Sequence, residues 1–413
     1  MRFCMVTTFY PPYHYGGDAT FVRGLSCALV EHGHEVEVVH CEDAYRAVGG
    51  SPRVPSGAED GVIVHRLRTP FGRLSPLITQ QTGSPGPKAG RLRAVLGRDF
   101  DVVNFHNISL VGGPEVLTMS AARVTLYTLH EHWLICPTHV LWKNRVRSCD
   151  KPECIRCCLR SGIPPQLWRY TRLLERSLAK ADLLLSPSHY TADRHRDAGV
   201  TRPIRVLPSF SSLEPALLER ATSAGRARFL YVGRITASKG ITELLEEIAP
   251  LSDIDLLVVG DGELRSALER RYAGLAHIRF VGSRPQVELA PLYRAAAAVV
   301  VPSLAPEVFP LSVIEAFACG TPVIVRDSGG SREAVDRTGG GIVYRSRAEL
   351  RAALLAFAAN AELQGRLGER ARSGYARHYS RERYLCDYLD LVAELEHAKR
   401  GGQPEPGRHS HAG

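Results

Sequence analysis

Short apolar runs alternate with amphipathic stretches along almost the whole chain. In the first half, apolar segments at 2–7, 35–40, 62–67, 102–106, 124–129 and 182–186 read as strands. In the second half, strands are predicted at 228–232, 254–259, 278–281, 298–301 and 322–325, with helices at 240–249, 263–273, 286–295 and 310–319 between and after them. Such alternation of strand and helix predicts parallel sheets. A Pro/Gly/Ser-rich stretch at 75–90 reads as a mobile loop, and a join between domains is expected at 204–216, where a strand ends in Pro208. The chain has 413 residues, more than one core usually holds, so two domains are expected. The divisions are 1–207, 208–380, a last helix at 381–399 and a tail at 400–413 that lacks apolar residues and reads as disordered.

The segment Pro302–Ile324, PSLAPEVFPLSVIEAFACGTPVI, carries the most chemistry. Pro310 suits a helix start, and Leu311, Ile314 and Ala318 give the helix an apolar face. Glu307 then lies in the loop leading into the helix and Glu315 in its second turn. Eight residues at helical rise span roughly 12 Å, about the distance from hexose to ribose in a nucleoside diphosphate sugar. Between them lie the unpaired N–H groups of the helix start, which attract a diphosphate. Glu307 for the sugar, amides for the phosphates and Glu315 for the ribose diol make a nucleotide-sugar cradle.

Other motifs stand in order along residues 1–395. They are the opening RFCMVTTFYPPYHYGGDATFVRGLSCALVEHGHEVEVVHC, then DVVNFHN (101–107), TLHEHW (128–133), FLYVGRITASKG (229–240), LLVVGDGELRSALE (256–269), IRFVGS (278–283) and DSGGSREAV (327–335). Together with PEVFPLSVIEAFACGTPV they resemble the retaining glycosyltransferases of family 4, whose GT-B fold sets two Rossmann-like α/β domains with parallel sheets face to face across a cleft. The resemblance implies hexosyl transfer from a nucleoside diphosphate sugar to a glycan, lipid-linked sugar or small acceptor, in cell-envelope polysaccharide or glycoconjugate synthesis. It also implies an N-terminal domain that handles the acceptor, a C-terminal domain that binds the donor, and a last helix that crosses back.

Transfer from such a donor builds negative charge on the bridging oxygen, and preorganised cations and amides stabilise it. Arg234 and Lys239, in the loop after Gly233, fit that role, Arg as a bidentate partner and Lys as a point charge. Gly16 and Gly17, after the first strand, leave backbone N–H groups free to approach the diphosphate. His130 ends a strand and, by the resemblance, meets the donor sugar. Gly260, Gly262, Val281 and Gly282 resemble the nucleobase and ribose lining, and Phe309, Pro310 and Leu311 complete the donor side. Because these relatives retain configuration, the leaving phosphate itself can take the acceptor proton, so His130 positions and polarises the sugar. No cofactor is expected for catalysis: the one D-x-D pair, Asp253 and Asp255, leads into an apolar strand and reads as a turn.

Hydrophobic content of 44% and charged content of 23% are ordinary for a globular enzyme. No apolar run has the length to span a bilayer, and the start MRFCMVTTFY lacks a signal peptide's regions, so a cytoplasmic setting is expected. The net charge of +9 concentrates in 66–98 (Arg66, Arg68, Arg73, Lys88, Arg91, Arg93, Arg98) and 143–172. Either an anionic membrane surface or lipid-diphosphate acceptor meets these clusters, or they are solvated faces; no nucleic-acid motif accompanies them. Five of the ten cysteines fall within an insertion at 136–160. Cys136, Cys149, Cys154 and Cys157 are a candidate structural zinc set, the alternative being reduced thiols in a small core. The scattered Cys4, Cys27, Cys41, Cys319 and Cys386 read as buried thiols. A GT-B hydrolase or epimerase, or a non-catalytic nucleotide-sugar-binding subunit, would be the alternative function. A dinucleotide-binding dehydrogenase is excluded, since no G-x-G-x-x-G follows the first strand.

Overall fold

The computed structural model describes residues 1–50, 60–213 and 225–401. The far end of the expected domain join (214–216) and most of the expected tail (402–413) lie outside these residues. The N-terminal domain is built from β1 (Arg2–Val6), α1 (Gly17–Glu31), β2 (Glu35–Cys41), α2 (Glu42–Ala47), β3 (Ile63–Leu67), α3 (Leu74–Thr82), α4 (Ala89–Leu96), β4 (Val102–Phe105) and β5 (Val124–Thr128). A short antiparallel hairpin, β6 (Trp142–Lys143) and β7 (Arg147–Ser148), follows. Next come α5 (Cys154–Arg160), α6 (Leu173–Leu178), β8 (Leu183–Ser186), α7 (His189–Asp197) and β9 (Ile204–Val206). Seven strands pair in the order β3-β2-β1-β4-β5-β8-β9, every ladder parallel.

The second domain runs β10 (Ala227–Val232), α8 (Ile241–Ile248), β11 (Ile254–Val259), α9 (Arg265–Tyr272), β12 (Ile278–Gly282), α10 (Gln286–Arg294), β13 (Ala298–Val301), α11 (Leu311–Ala318), β14 (Val323–Arg326), α12 (Gly330–Thr338), β15 (Gly341–Tyr344), α13 (Arg347–Ala359) and α14 (Ala361–His378). Its six parallel strands take the order β12-β11-β10-β13-β14-β15. Each sheet is covered on both faces. Along β1, Phe3 and Met5 enter one core and Cys4 and Val6 the other, as the two-residue period of a strand requires. The last helix, α15 (Arg381–Lys399), does cross back: Tyr384, Leu385, Tyr388, Leu391 and Val392 are buried beside α1 in the N-terminal core.

Four expectations need correction. The stretch 75–90 is ordered: α3 fills its first half, with Pro76 in the first turn, where a missing N–H costs nothing. The anchor is Lys88, read as a surface cation but fully buried, whose ammonium donates to Ser75 O, Ser75 Oγ and Thr79 Oγ1 at 3.2, 3.1 and 2.7 Å. Arg98 is no free surface charge either, since it pairs with buried Glu37 at 2.5 Å. Asp255 is not in a turn but within β11, paired with Arg228. Finally, Cys386 is exposed and Cys27 only half-buried, whereas Cys4, Cys41 and Cys319 are buried as expected.

Candidate active site

The C-terminal ends of both sheets face a common cleft, where ligands bind in such folds. On the C-terminal side, β10 ends in the loop that carries Arg234 and Lys239. Tyr231 Oη donates to Arg234 O at 2.6 Å, which fixes the bend and leaves the Arg234 side chain exposed. The turn Ala237–Lys239 is tied to the Glu307 loop, because Leu304 and Ala305 N–H both donate to Ser238 O at 2.9 Å. Lys239 Nζ thereby lies 2.6 Å from Glu307 Oε1, and Ser303 Oγ donates to the same oxygen. Burial alone would raise the Glu307 carboxyl; Lys239, Ser303 and Arg234 outweigh it and hold the group below its usual range. Glu307 is thus an anion at neutral pH.

The backbone of Glu307 is gripped as well: Gly330 N–H donates to Glu307 O at 2.7 Å. At Gly329 (φ +62°) a Cβ would come within 2.2 Å of that oxygen, so only glycine allows the approach. Pro310 caps α11 from extended backbone, so the helix begins with Leu311 and Ser312 N–H groups directed past the cap. Across the cleft, Gly16 (φ +78°) caps α1, and a Cβ on Gly17 would sit 2.6 Å from Leu311 Cδ1. The two glycines therefore bring the start of α1 against the start of α11. Gly260 and Gly262 both lie in the turn after β11 (φ +137° and +157°), and Gly282 closes β12.

Glu315 sits deeper, only 9% exposed, with Tyr293 Oη donating to its Oε2 at 2.6 Å. Burial pushes its carboxyl up to about 7. Of the donor set expected from sequence, Arg234, Lys239 and Glu307 come together, Gly17 meets Leu311 across the cleft, and Glu315 lies deeper, against Tyr293.

On the N-terminal side, β4 and β5 are paired neighbours, and His106 and His130 lie just beyond their C-terminal ends. Their rings stack at 5.1 Å, with His106 Nδ1 2.9 Å from His130 Nε2. Burial drives the His130 pKa down to about 3, which keeps the ring neutral. Sequence reading missed His106, although NFHN and TLHEH end neighbouring strands. It also missed Asp18, in the first turn of α1. The Asp18 carboxyl is pushed up to about 6 by burial and by nearby Glu131, and Asn107 Nδ2 lies 3.4 Å from it.

Residues 16–209 match the "Glycosyl transferase 4-like domain" and residues 219–374 match "Glycosyl transferases group 1". The chain is 31% identical over 353 residues to a D-inositol 3-phosphate glycosyltransferase of Paenarthrobacter aurescens, covering 78% of this chain and 80% of that one. The chain belongs to the family 4 glycosyltransferases. The fold agrees with sucrose-phosphate synthase of Thermosynechococcus elongatus (TM-score 0.72, 21% identity, covering 96% of this chain and 99% of that one). It agrees also with Anabaena HepE, solved in complex with UDP-glucose (TM-score 0.66, 16% identity, 95% and 99% covered).

In this glycosyltransferase the cysteine-rich insertion follows His130 directly. Cys136, Cys149, Cys154 and Cys157 line one pocket with Leu141 and Trp142. Yet among the described residues no group of three or more His, Cys, Asp or Glu side chains is arranged to hold a metal ion. The sulfurs are engaged elsewhere: Cys136 Sγ lies 3.2 Å from Thr138 Oγ1, Cys157 Sγ accepts Asn144 N–H at 3.2 Å, and Cys149 Sγ points to Lys151 O at 3.9 Å. Burial and the neighbouring cysteines both raise the Cys149 and Cys154 thiols, so these groups lie close to one another. The four cysteines thus share one small core. It braces the hairpin, whose Ser148 Oγ reaches Leu304 O of the second domain at 3.4 Å.

Proposed function

We propose that this glycosyltransferase takes a hexosyl group from a nucleoside diphosphate sugar, with retention, and passes it to an acceptor held by the N-terminal domain. The observation that carries the reading is the Lys239–Glu307 pair at 2.6 Å, set on the loop beside the start of α11. It provides an ammonium where diphosphate charge grows, a carboxylate for sugar hydroxyls, and amides of a helix start between them. That Anabaena HepE was solved with UDP-glucose on the same fold supports a donor of this class.

Arg234 and Lys239 stabilise the departing nucleoside diphosphate. The neutral pair His130 and His106 contacts the hexose and offers hydrogen bonds without adding charge to the reacting face. Asp18 and Asn107 present oxygen and amide groups to acceptor hydroxyls. The acceptor proton passes to the leaving phosphate, which keeps the attack on the departing face and retains configuration. The acceptor is proposed to be a glycan or lipid-linked sugar of the cell envelope. The test is to incubate the protein with nucleoside diphosphate hexoses and candidate acceptors, and to follow nucleotide release and the anomeric signal of the product by NMR. Product of inverted configuration would refute retention, and nucleotide release with free hexose alone would indicate a hydrolase.

Because cationic side chains are assigned the leaving-group role, turnover should persist in EDTA. A rate abolished by EDTA and restored by magnesium or manganese would overturn that assignment. Glu315 makes a pH-dependent prediction. Its carboxyl, raised to about 7, is protonated below that pH and becomes a full acceptor for the ribose diol above it. Donor affinity should therefore rise as pH increases through 7, and Glu315→Gln should flatten the curve. The sign for stability is opposite: between the ordinary 4.5 and about 7 the folded state holds the extra proton, so Glu315's stabilisation is lost as pH rises across that window. Calorimetric titrations across the range, with unfolding curves alongside, check both slopes.

A further inference from the structure

Fourteen large apolar side chains are exposed among the described residues, and eight of them come from just two stretches, 71–77 and 146–170. Tertiary contacts bring those stretches together. Trp168 Nε1 donates to Gln80 O at 2.9 Å and Gln80 Nε2 to Pro164 O at 3.2 Å, which holds the turn Leu167–Tyr170 against α3. Ile163 N–H donates to Cys158 O at 2.9 Å, which folds the segment leading to that turn back against the end of α5. Lys143 Nζ bonds Glu153 at 2.9 Å and Asn144 N–H bonds Cys157 Sγ, fastening the β6–β7 hairpin to α5. The result is a continuous belt: α3, turn, α5, hairpin tip.

Within this belt each element buries one side and exposes apolar groups on the other. Helix α5 turns Cys157 and Cys158 inward and leaves Ile155 and Leu159, four residues apart, 45% and 64% exposed. Helix α3 buries Ser75, Pro76 and Thr79 and exposes Leu74 and Leu77. At the hairpin tip Val146 is 73% exposed, with exposed Arg145 and Arg147 on either side. Residues 143–176 hold nine Lys or Arg against three acids, a net +6 of the chain's +9. Exposed Arg156 and Arg160 stand next to Ile155 and Leu159.

We infer that this belt is a docking face for an anionic phospholipid bilayer. Single apolar tips separated by arginines suit the boundary between headgroup and acyl chain: the tips enter, and the guanidinium groups meet phosphates above them. A protein partner would be expected to meet a contiguous apolar core depleted of charge, which this face lacks. Among the described residues no helix is long and apolar enough to cross a membrane, so attachment is to the surface. The inference extends the proposed transfer to a lipid-held acceptor, because the insertion begins just after His130 and its hairpin touches Leu304, close to the Glu307 loop.

The test is sedimentation of the full chain with vesicles of phosphatidylcholine alone or mixed with phosphatidylglycerol, at low and high salt. Wild type should pellet with the anionic vesicles, less so at high salt, and stay in solution with the neutral ones. Val146→Ser with Leu159→Ser should weaken binding about tenfold, and Arg145→Ala, Arg147→Ala and Arg156→Ala together should do the same and blunt the salt effect. Melting temperature and donor affinity of both variants should match wild type, which rules out misfolding. The inference fails if wild type ignores anionic vesicles, or if both variants bind them as wild type does. It also fails if wild type is a dimer that Val146→Ser with Leu159→Ser makes monomeric while no vesicle binding is seen. Vesicle binding by a chain that binds no donor would support this face and count separately against the donor reading.

Discussion

Replacing Lys239 with alanine should lower kcat by about 10²–10³-fold, the scale seen when a single preorganised donor to a developing negative charge is removed. KM for the donor should change far less, since the ammonium meets most of its charge in the transition state. The pair makes the experiment sharper. With Lys239 gone, Glu307 remains a poorly exposed carboxylate with only Ser303 donating to it, so its pKa should rise and part of the population should protonate. Adding Glu307→Gln to the variant should therefore cost less than it does in the wild-type background, a non-additivity that steady-state kinetics on all four proteins would reveal. Lys239→Arg keeps the charge on a planar group that fits a point-charge site less well, and should recover only part of the rate. If Lys239→Ala instead raised KM and left kcat intact, the ammonium would be a ground-state contact.

The largest stability effect is expected in the helix that ties the domains together. Tyr388 is fully buried in the N-terminal core although it belongs to α15, and its hydroxyl meets Asn104 Nδ2 at 3.3 Å. Tyr388→Ala should destabilise the protein by about 3–5 kcal/mol, the range for truncating a buried aromatic ring. Tyr388→Phe should cost only about 1 kcal/mol, the worth of one ordinary hydrogen bond. Chemical denaturation monitored by circular dichroism distinguishes them. Similar small losses in both would mean that α15 is a loosely held appendage, in conflict with the burial of Tyr384, Leu385 and Leu391 beside it.

Most strands were legible from their apolar runs, and those begin and end within a residue or so of expectation; β2, for instance, was read at 35–40 and runs Glu35–Cys41, whereas the hairpin β6–β7 and β15 were not read. Helix α3 was hidden, because its local composition favours a loop. What captures it is a tertiary event, the burial of Lys88 onto Ser75 and Thr79, and nothing in the residue types announces that a lysine will go inward. The meeting of Arg234, Lys239 and Glu307 was legible for a similar reason in reverse: they lie in loops right after strands, where position in the chain nearly determines position in space. Register hid His106 and Asp18. Each gains its place from a neighbouring element distant in sequence, as His106 does when β4 and β5 lie side by side and its ring meets that of His130. Sequence spacing could not choose between zinc and a thiol core for Cys136, Cys149, Cys154 and Cys157. In the fold, Thr138, Asn144 and Lys151 face the sulfurs of Cys136, Cys157 and Cys149.

If the Lys239–Glu307 rim is a donor site, isothermal titration of the purified chain with a panel of nucleoside diphosphate hexoses should give at least one ligand that binds stoichiometrically. The same ligand should bind Glu315→Ala about tenfold more weakly or worse, as expected when buried hydrogen bonds to its ribose diol are lost. A folded wild-type chain that binds no member of the panel, or a ligand whose affinity ignores Glu315→Ala and Lys239→Ala alike, would contradict the donor cradle.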